Sequence, residues 1–484
     1  MAKKPVQLDE KGFRKFGILD KLAYAAGDAG CNLSFGLKGT VQTFWLVFMA
    51  METGVLSFLL LLVQAWDAIN DPIIGALIDA DTRRYKRGKF KTYILIGAIG
   101  LIVGGAAVFM PFPQADKVVK AILFIVGYVI WDAAYTMANV PYGSMLSLVT
   151  EDAGERAQLS SWRSIGSMIG NILPNIILPM IIWKDVYDEN GELVGQDLLG
   201  DRVFIAALIM GVIAFAFFWF MIKKITLRVD EYSVKTGEDA PKFNVIQAFG
   251  NFMKNRAAVG ATIAAMGMFL GMQSATTANA IMFATYFKNA QMSGLVMAIG
   301  FAPMFLFMPF IKKLVNKFGK KESATAGTLV SVVGGLVLLV FPLVDQSIAL
   351  YVYMVGLILF GLGMGVYTCI SWAMMADAID YQEWKFGKRE EGTVYSLHSF
   401  FRKLAQGVGP SIVIALLGVL GYVEGLGTTG QSPEMAYNAC WLVAGLYCFS
   451  AVTQFVGIGI VYNLDKKTLA QMNDELTARR AENA

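Results

Sequence analysis

Histidine is almost absent: His398 is the only one in 484 residues. The four cysteines, Cys31, Cys369, Cys440 and Cys448, all fall in apolar segments and lack the spacing of a zinc site or a disulfide framework. No phosphate-cradling Walker loop occurs, and no nucleophile–histidine pair stands in a polar region of domain size. An enzyme, an ATP-driven pump and a resident cofactor are therefore not expected. Charge is scarce as well, at 16% of residues, and a net +4 leaves no electrostatic footprint for nucleic acid. What remains is apolar: 56% hydrophobic residues and 49 glycines, with a mean hydropathy of +0.54. Soluble domains hold about 45–50% apolar residues even with glycine counted. The composition is that of a polytopic membrane protein, an all-α one, because a chain in lipid must satisfy its backbone internally.

Twelve apolar spans are read at about 23–49, 56–79, 92–112, 119–149, 158–182, 202–222, 257–286, 292–311, 324–344, 348–379, 393–421 and 436–462, each long enough to cross as a helix. Glycines recur inside them (Gly97, Gly100, Gly104 and Gly105; Gly361, Gly363 and Gly365), which in a membrane indicates close helix packing. Lys and Arg crowd the connections after spans two and eight and the middle connection, so both termini and that connection are expected in the cytoplasm. The polar N-terminal residues lack the pattern of a cleaved signal, and the first span is expected to direct insertion. The expected organisation is an N-terminal six-helix bundle, 1–222, a cytoplasmic middle loop, 223–256, a C-terminal six-helix bundle, 257–462, and a cytoplasmic tail, 463–484. Basic connections after spans two and eight, and acidic ends of spans four and ten, form a faint repeat. Twelve helices in two pseudo-symmetric halves is the plan of major facilitator transporters, with substrate held between the halves.

Charge inside the spans carries the functional reading. Asp67 and Asp71 lie four residues apart in span two, so a helix puts both on one face with Asn70 beside them. One charge at mid-bilayer costs roughly 2.5–3.5 kcal/mol on insertion scales, and span two contains no basic residue to offset two of them. Carboxylate and amide oxygens suit a hard cation, and a carboxylate also carries a proton. Coupling to sodium or a proton is expected; a purely structural pairing with Lys403 or Arg163 is the plainer alternative. Asp28 and Asn32 share a face of span one. Arg163 in span five and Lys403 in span eleven are basic groups from opposite halves. Together these four are expected to grip substrate hydroxyls, and two cations there also suit an anionic sugar. Against that stand helix joining for Asp28 and Asn32, and snorkelling or salt bridges for Arg163 and Lys403. His398 is either a packed polar residue or a substrate contact. Tyr142, Tyr367 and Trp372 offer aromatic faces for a sugar. The acidic residues Asp377, Asp380 and Glu383 face cytoplasmic Arg156, Arg389, Arg83 and Arg84, and are expected to form a salt-bridged gate favouring the outward-facing state.

Four ordered blocks make the pattern specific: "KLAYAAGDAGCNLSFG" in span one, "WDAINDPIIGALIDADTRRYKRGKFKTYIL" from span two, "NVPYGSMLSLVTEDAGERAQLSSWR" across spans four and five, and "MMADAIDYQEWKFGKREEGTVYS" from span ten. Together they resemble the glycoside–pentoside–hexuronide:cation symporters, the group of melibiose permease. The resemblance implies cation binding at Asp67, Asn70, Asp71 and Thr136. It implies shared cation and sugar contact at Asn139, and sugar contact at Asn32 and Arg163. It puts His398, Ser399 and Lys403 at polar cavity positions. Asn32 and Asn139 stand where the permease has aspartates, and Gly143 where it has a sugar-stacking tryptophan. A galactoside is therefore not expected, and the acidic cluster is reduced to two carboxylates. The reading is a multi-pass transporter of a bacterial-type inner membrane. It moves a sugar, glycoside or sugar acid with sodium or a proton. A sodium-coupled lysophospholipid transporter of the same fold is the alternative, and a transporter-shaped sensor a third.

Overall fold

The computed structural model describes residues 12–150, 152–229, 245–307, 310–387 and 391–482. Apolar runs become long helices. In the first half these are α1 (Ile18–Gly36), α2 (Thr53–Ala80), α3 (Lys89–Val108), α4 (Lys117–Val149), α5 (Ala153–Ile172) and α6 (Gly200–Lys224). In the second half they are α7 (Arg256–Thr285), α8 (Gln291–Phe307), α9 (Lys320–Val340), α10 (Gln346–Phe386), α11 (Glu391–Val419) and α12 (Pro433–Phe455). Among the described residues, ten helices are long and apolar enough to cross a membrane. The other two expected spans differ in kind. The first is interrupted at Leu37 and resumes as Lys38–Thr43 and a wide turn Phe44–Phe48; the eighth is the shorter α8.

The chain divides into two compact units, Met1–Lys184 with Asp197–Asp239, and Asp185–Gln196 with Ala240–Ala484. In the first, α1 packs on α5 and α6, α3 on α4 and α6, and α2 on α4. In the second, α7 packs on α11 and α12, α9 on α10 and α12, and α8 on α10. Advancing every helix number by six converts one set of neighbours into the other. The faint repeat of the loops is thus a repeat of packing.

Glycine makes the tightest of these contacts possible. A Cβ on Gly104 of α3 would lie 2.5 Å from the Trp131 Cα of α4, so any side chain there forces the two backbones apart. The end of α7 is tied by Asn255, whose Oδ1 accepts from the Ala258 N–H at 2.9 Å while its amide donates to the Ala378 carbonyl and Gln382 of α10.

Two elements depart from the reading. Residues expected as a plain connection form a hairpin, β1 (Trp183–Tyr187) and β2 (Leu193–Leu198). Asn190–Gly191 supplies its turn, with Gly191 at φ +78°. The C-terminal stretch, expected as a tail, is helix α13 (Lys466–Glu482). Its Met472 and Leu476 enter the core of the second unit, and the Trp384 Nε1–H of α10 donates to Glu475 at 2.6 Å.

Candidate functional site

Polar side chains in the first unit form two groups that share α4. The first joins α2 and α4. The Asn70 amide donates to Asp132 Oδ2 at 3.2 Å and to Thr136 Oγ1 at 2.9 Å. The Thr136 hydroxyl donates onward to Asp71 Oδ1 at 2.8 Å. Asn70, Asp132 and Thr136 are buried, so each hydrogen bond replaces one that water cannot supply. Asp67, one turn before Asp71, accepts from Gln64 at 3.2 Å and faces the Lys38 ammonium at 3.7 Å. Lys38 starts the short helix after the break in the first span, and its Nζ lies 5.2 Å from the Phe35 ring centre. A small cleft lined by Ser34, Phe35, Lys38, Trp131, Asp132 and Tyr135 adjoins the group.

Helical spacing therefore does put Asp67, Asn70 and Asp71 together, with Thr136 of α4. The reduction to two carboxylates is corrected: Asp132 is a third. The charge partner of Asp67 is also corrected, since it is Lys38 rather than Arg163 or Lys403. Both omitted residues carried a legible signal, being single charges inside apolar spans. Asn139, one turn beyond Thr136, is half-buried and makes no hydrogen bond among the described residues.

The second group joins α1 and α5. Arg163 Nε donates to Asp28 Oδ1 at 2.8 Å. The Asn32 amide donates to Asp28 Oδ2, and the Asn171 amide to Asn32 Oδ1, each at 2.9 Å. The helices come this close because a Cβ on Gly170 would sit 2.5 Å from the Ala29 carbonyl oxygen. Asp28 is buried, but 41% of the Arg163 side chain is exposed. Among the described residues its two terminal nitrogens have no hydrogen-bond partner. It is held at one end and open at the other. Asn171 was missed, although Arg163, Ser167 and Asn171 recur every four residues and so share one face of α5.

Tyr142 corrects an expectation. It is wholly buried, its ring stacks on Tyr24 at 4.7 Å between centroids, and the Arg163 guanidinium lies 5.2 Å from its centre. Its hydroxyl donates to the Tyr24 carbonyl at 2.9 Å. It supports Arg163 and presents no face to a sugar. Along α4 the positions of Asp132, Thr136, Asn139 and Tyr142 share a face, so one helix carries residues of both groups. Pro141 lies within that helix, where it removes a backbone hydrogen bond and permits a bend.

In the second unit, His398 on α11 is buried with its Nδ1 2.8 Å from Thr262 Oγ1. The same hydroxyl lies 2.7 Å from the Ala258 carbonyl oxygen, so His398 is tied to α7 through Thr262. Trp372, 54% exposed, meets His398 edge-on at 6.2 Å. Arg402, not singled out from the sequence, lies over the Phe269 and Trp372 rings. Ser399 and Lys403 occupy the same helix, half-buried. Tyr367 is buried and unavailable for stacking.

Two of the expected gate residues, Asp377 and Arg156, have partners within their own units. Asp377 pairs through both oxygens with Lys320, each at 2.7 Å. Arg156 Nε donates to the Thr150 carbonyl at 2.9 Å. Asp380 and Glu383 follow Asp377 along α10. Arg389 lies outside the described residues. Two further clusters were missed. Asp20, fully buried, is held by Arg14 at 2.5 Å and Arg228 at 3.1 Å. Asp81, just past α2, accepts from Tyr85 at 2.5 Å, Tyr93 at 2.8 Å and the Arg83 N–H at 3.0 Å. These bonds, Tyr85's first, hold its carboxyl down at about 2.

Comparison with known proteins places this geometry. The family model described as "MFS/sugar transport protein" matches residues 23–466. The chain is 28% identical to the "Uncharacterized symporter YjmB" of Bacillus subtilis, over 98% of each. It is 26% identical to a "Putative 2,3-dihydroxypropane-1-sulfonate exporter" of Salmonella typhimurium, over 95% of this chain and 96% of that one. It is 27% identical to the "Isoprimeverose transporter" of Lactiplantibacillus pentosus, over 94% and 91%. The inward-open xylose transporter XylE of E. coli superposes with a TM-score of 0.57 over 94% of this chain and 98% of that one, at 14% identity, which establishes a shared fold. With that fold, ten crossing-length helices and a family match over most of its length, the chain is a multi-pass membrane transporter, not an enzyme, and it belongs to the MFS/sugar transport protein family.

Proposed function

We propose that this protein is a cation-coupled symporter of a sugar, glycoside or sugar acid, working by alternating access in a bacterial inner membrane with both termini in the cytoplasm. The observation that carries the reading is the hydrogen-bonded chain Asn70–Thr136–Asp71, with Asp132 on the same amide and with Asn70, Thr136 and Asp132 buried. Carboxylate, hydroxyl and amide oxygens from two helices supply the donors a sodium ion needs, and the same carboxylates serve a proton.

Arg163 and Asp28 are the substrate-facing pair. Asp28 fixes the guanidinium through Nε, and the open terminal nitrogens are positioned for the oxygens of a polyhydroxylated or anionic cargo. The cargoes in the names of two relatives, isoprimeverose and 2,3-dihydroxypropane-1-sulfonate, are of that kind. A cation drawn between Asp71 and Asp132 pulls on α4, which also carries Asn139 and the tyrosine beneath Arg163. Any gain in cargo affinity on cation binding must then be returned as an equal gain in cation affinity.

The test is reconstitution in liposomes with a sugar panel, imposing sodium and pH gradients separately. Asp71→Asn and Asp67→Asn should abolish gradient-driven accumulation while leaving counterflow exchange. Full accumulation by both variants would overturn the assignment.

A further inference from the structure

The first apolar span contains a lysine whose ammonium reaches the carboxylate group of α2 and α4. Lys38 Nζ stands 3.7 Å from Asp67 Oδ2. Its side chain lines the same cleft as Asp132. It gets there because the span breaks at Leu37 and restarts at Lys38. The other acids are held differently: Asp132 takes a hydrogen bond from the Asn70 amide and Asp71 one from the Thr136 hydroxyl. The Lys38 contact with Asp67 is longer than a hydrogen bond and is an ion pair without directional lock. In the same position Lys38 Nζ lies 5.2 Å from the ring centre of Phe35, near the end of α1 across the break, a cation–π contact that supports the ammonium beside Asp67.

We infer that Lys38 is a tethered cation seated in the coupling site, competing with the ion that enters. The inference rests on the coupling reading given above. A lysine ammonium is a compact point charge on a flexible stem. While it faces Asp67, part of the negative charge available to an incoming sodium ion is cancelled. When sodium binds, repulsion displaces the ammonium from Asp67. Lys38 thus acts on ion affinity through Asp67, as a positioning and charge-setting residue.

The experiment is a sodium titration of the purified full-length protein in detergent at constant ionic strength with choline. Tryptophan fluorescence is the signal, since Trp131 lines the cleft and Trp66 adjoins Asp67. Lys38→Met and Lys38→Gln remove the charge; Lys38→Arg keeps it. The half-saturating sodium concentration should fall at least about tenfold in both neutral variants, about 1.4 kcal/mol, and stay within about threefold of wild type in Lys38→Arg. A sodium response found only in the neutral variants also supports the inference. Equal half-saturation in wild type and a folded neutral variant overturns it while leaving coupling intact. A sodium response that survives undiminished in Asp71→Asn overturns the placement of the ion in this group and the inference with it; no sodium response in any form overturns the inference, and accumulation driven by a pH gradient alone then leaves a proton-coupled reading standing.

Discussion

Replacing Arg163 by lysine separates what the guanidinium does for the fold from what it does for cargo. In the structure Nε is committed to Asp28 at 2.8 Å, while the two terminal nitrogens are open. A lysine keeps the charge and can keep the ion pair with Asp28, so folding should survive. It cannot hold Asp28 and also present a planar pair of donors to the cargo. Hydrogen bonds to charged groups contribute about 1.5–3 kcal/mol each. Because 41% of the side chain is exposed, water competes, and the low end, about 1.5 kcal/mol in all, is the appropriate figure. That corresponds to roughly tenfold weaker cargo binding. Counterflow of a labelled panel sugar in liposomes reads binding without requiring a gradient. Arg163→Lys should raise the half-saturating sugar concentration about tenfold, with a melting temperature close to wild type. Half-saturation within twofold of wild type would refute the assignment of Arg163 to the cargo. Loss of melting temperature together with affinity would show that the pair serves the fold.

Asp20 sits fully buried between Arg14 and Arg228, whose side chains are 24% and 11% exposed, so Asp20→Ala takes the carboxylate from two partly solvated guanidiniums at a cost of about 1.5–3 kcal/mol; the unfolding midpoint in detergent should drop by at least about 3 °C, and an unchanged midpoint would show the clasp to be idle. Asp81, held at about 2 by Tyr85, Arg83 and Tyr93, is favoured as a carboxylate in the folded state. Its contribution is full above the ordinary carboxylate range near 4 and is lost as pH falls toward about 2. Melting curves of wild type and Asp81→Asn should therefore differ at neutral pH and converge between about pH 4 and 2; a constant offset through that window would contradict the pairing.

Much of the site could be read along the chain because a charge inside an apolar run costs too much to persist without use. That rule located Asp67 and Asp71, and applied evenly it would have located Lys38 and Asp132, each isolated among apolar neighbours. The four-residue recurrence of Arg163, Ser167 and Asn171 likewise marks one face of α5. Partners were another matter. Arg163 and Lys403 stood only as alternative structural partners for Asp67 and Asp71, whereas the fold sends Lys38 to Asp67 and Arg163 to Asp28. Tyr142 offered an aromatic ring, and packing against Tyr24 removed it from view. The hairpin turn was announced by Asn190–Gly191, yet its neighbours read as a polar connection between spans.

Hydropathy determines that this chain is built of membrane helices, because lipid leaves the backbone no other way to satisfy its hydrogen bonds, and the charged connections mark its two halves. Helical period decides which side chains share a face. Only the packing of one helix against another decides which faces meet, since contacts such as Lys38 with Asp67 depend on the break at Leu37 and on how closely two backbones approach. Neither is encoded in the spacing of the residues that finally touch.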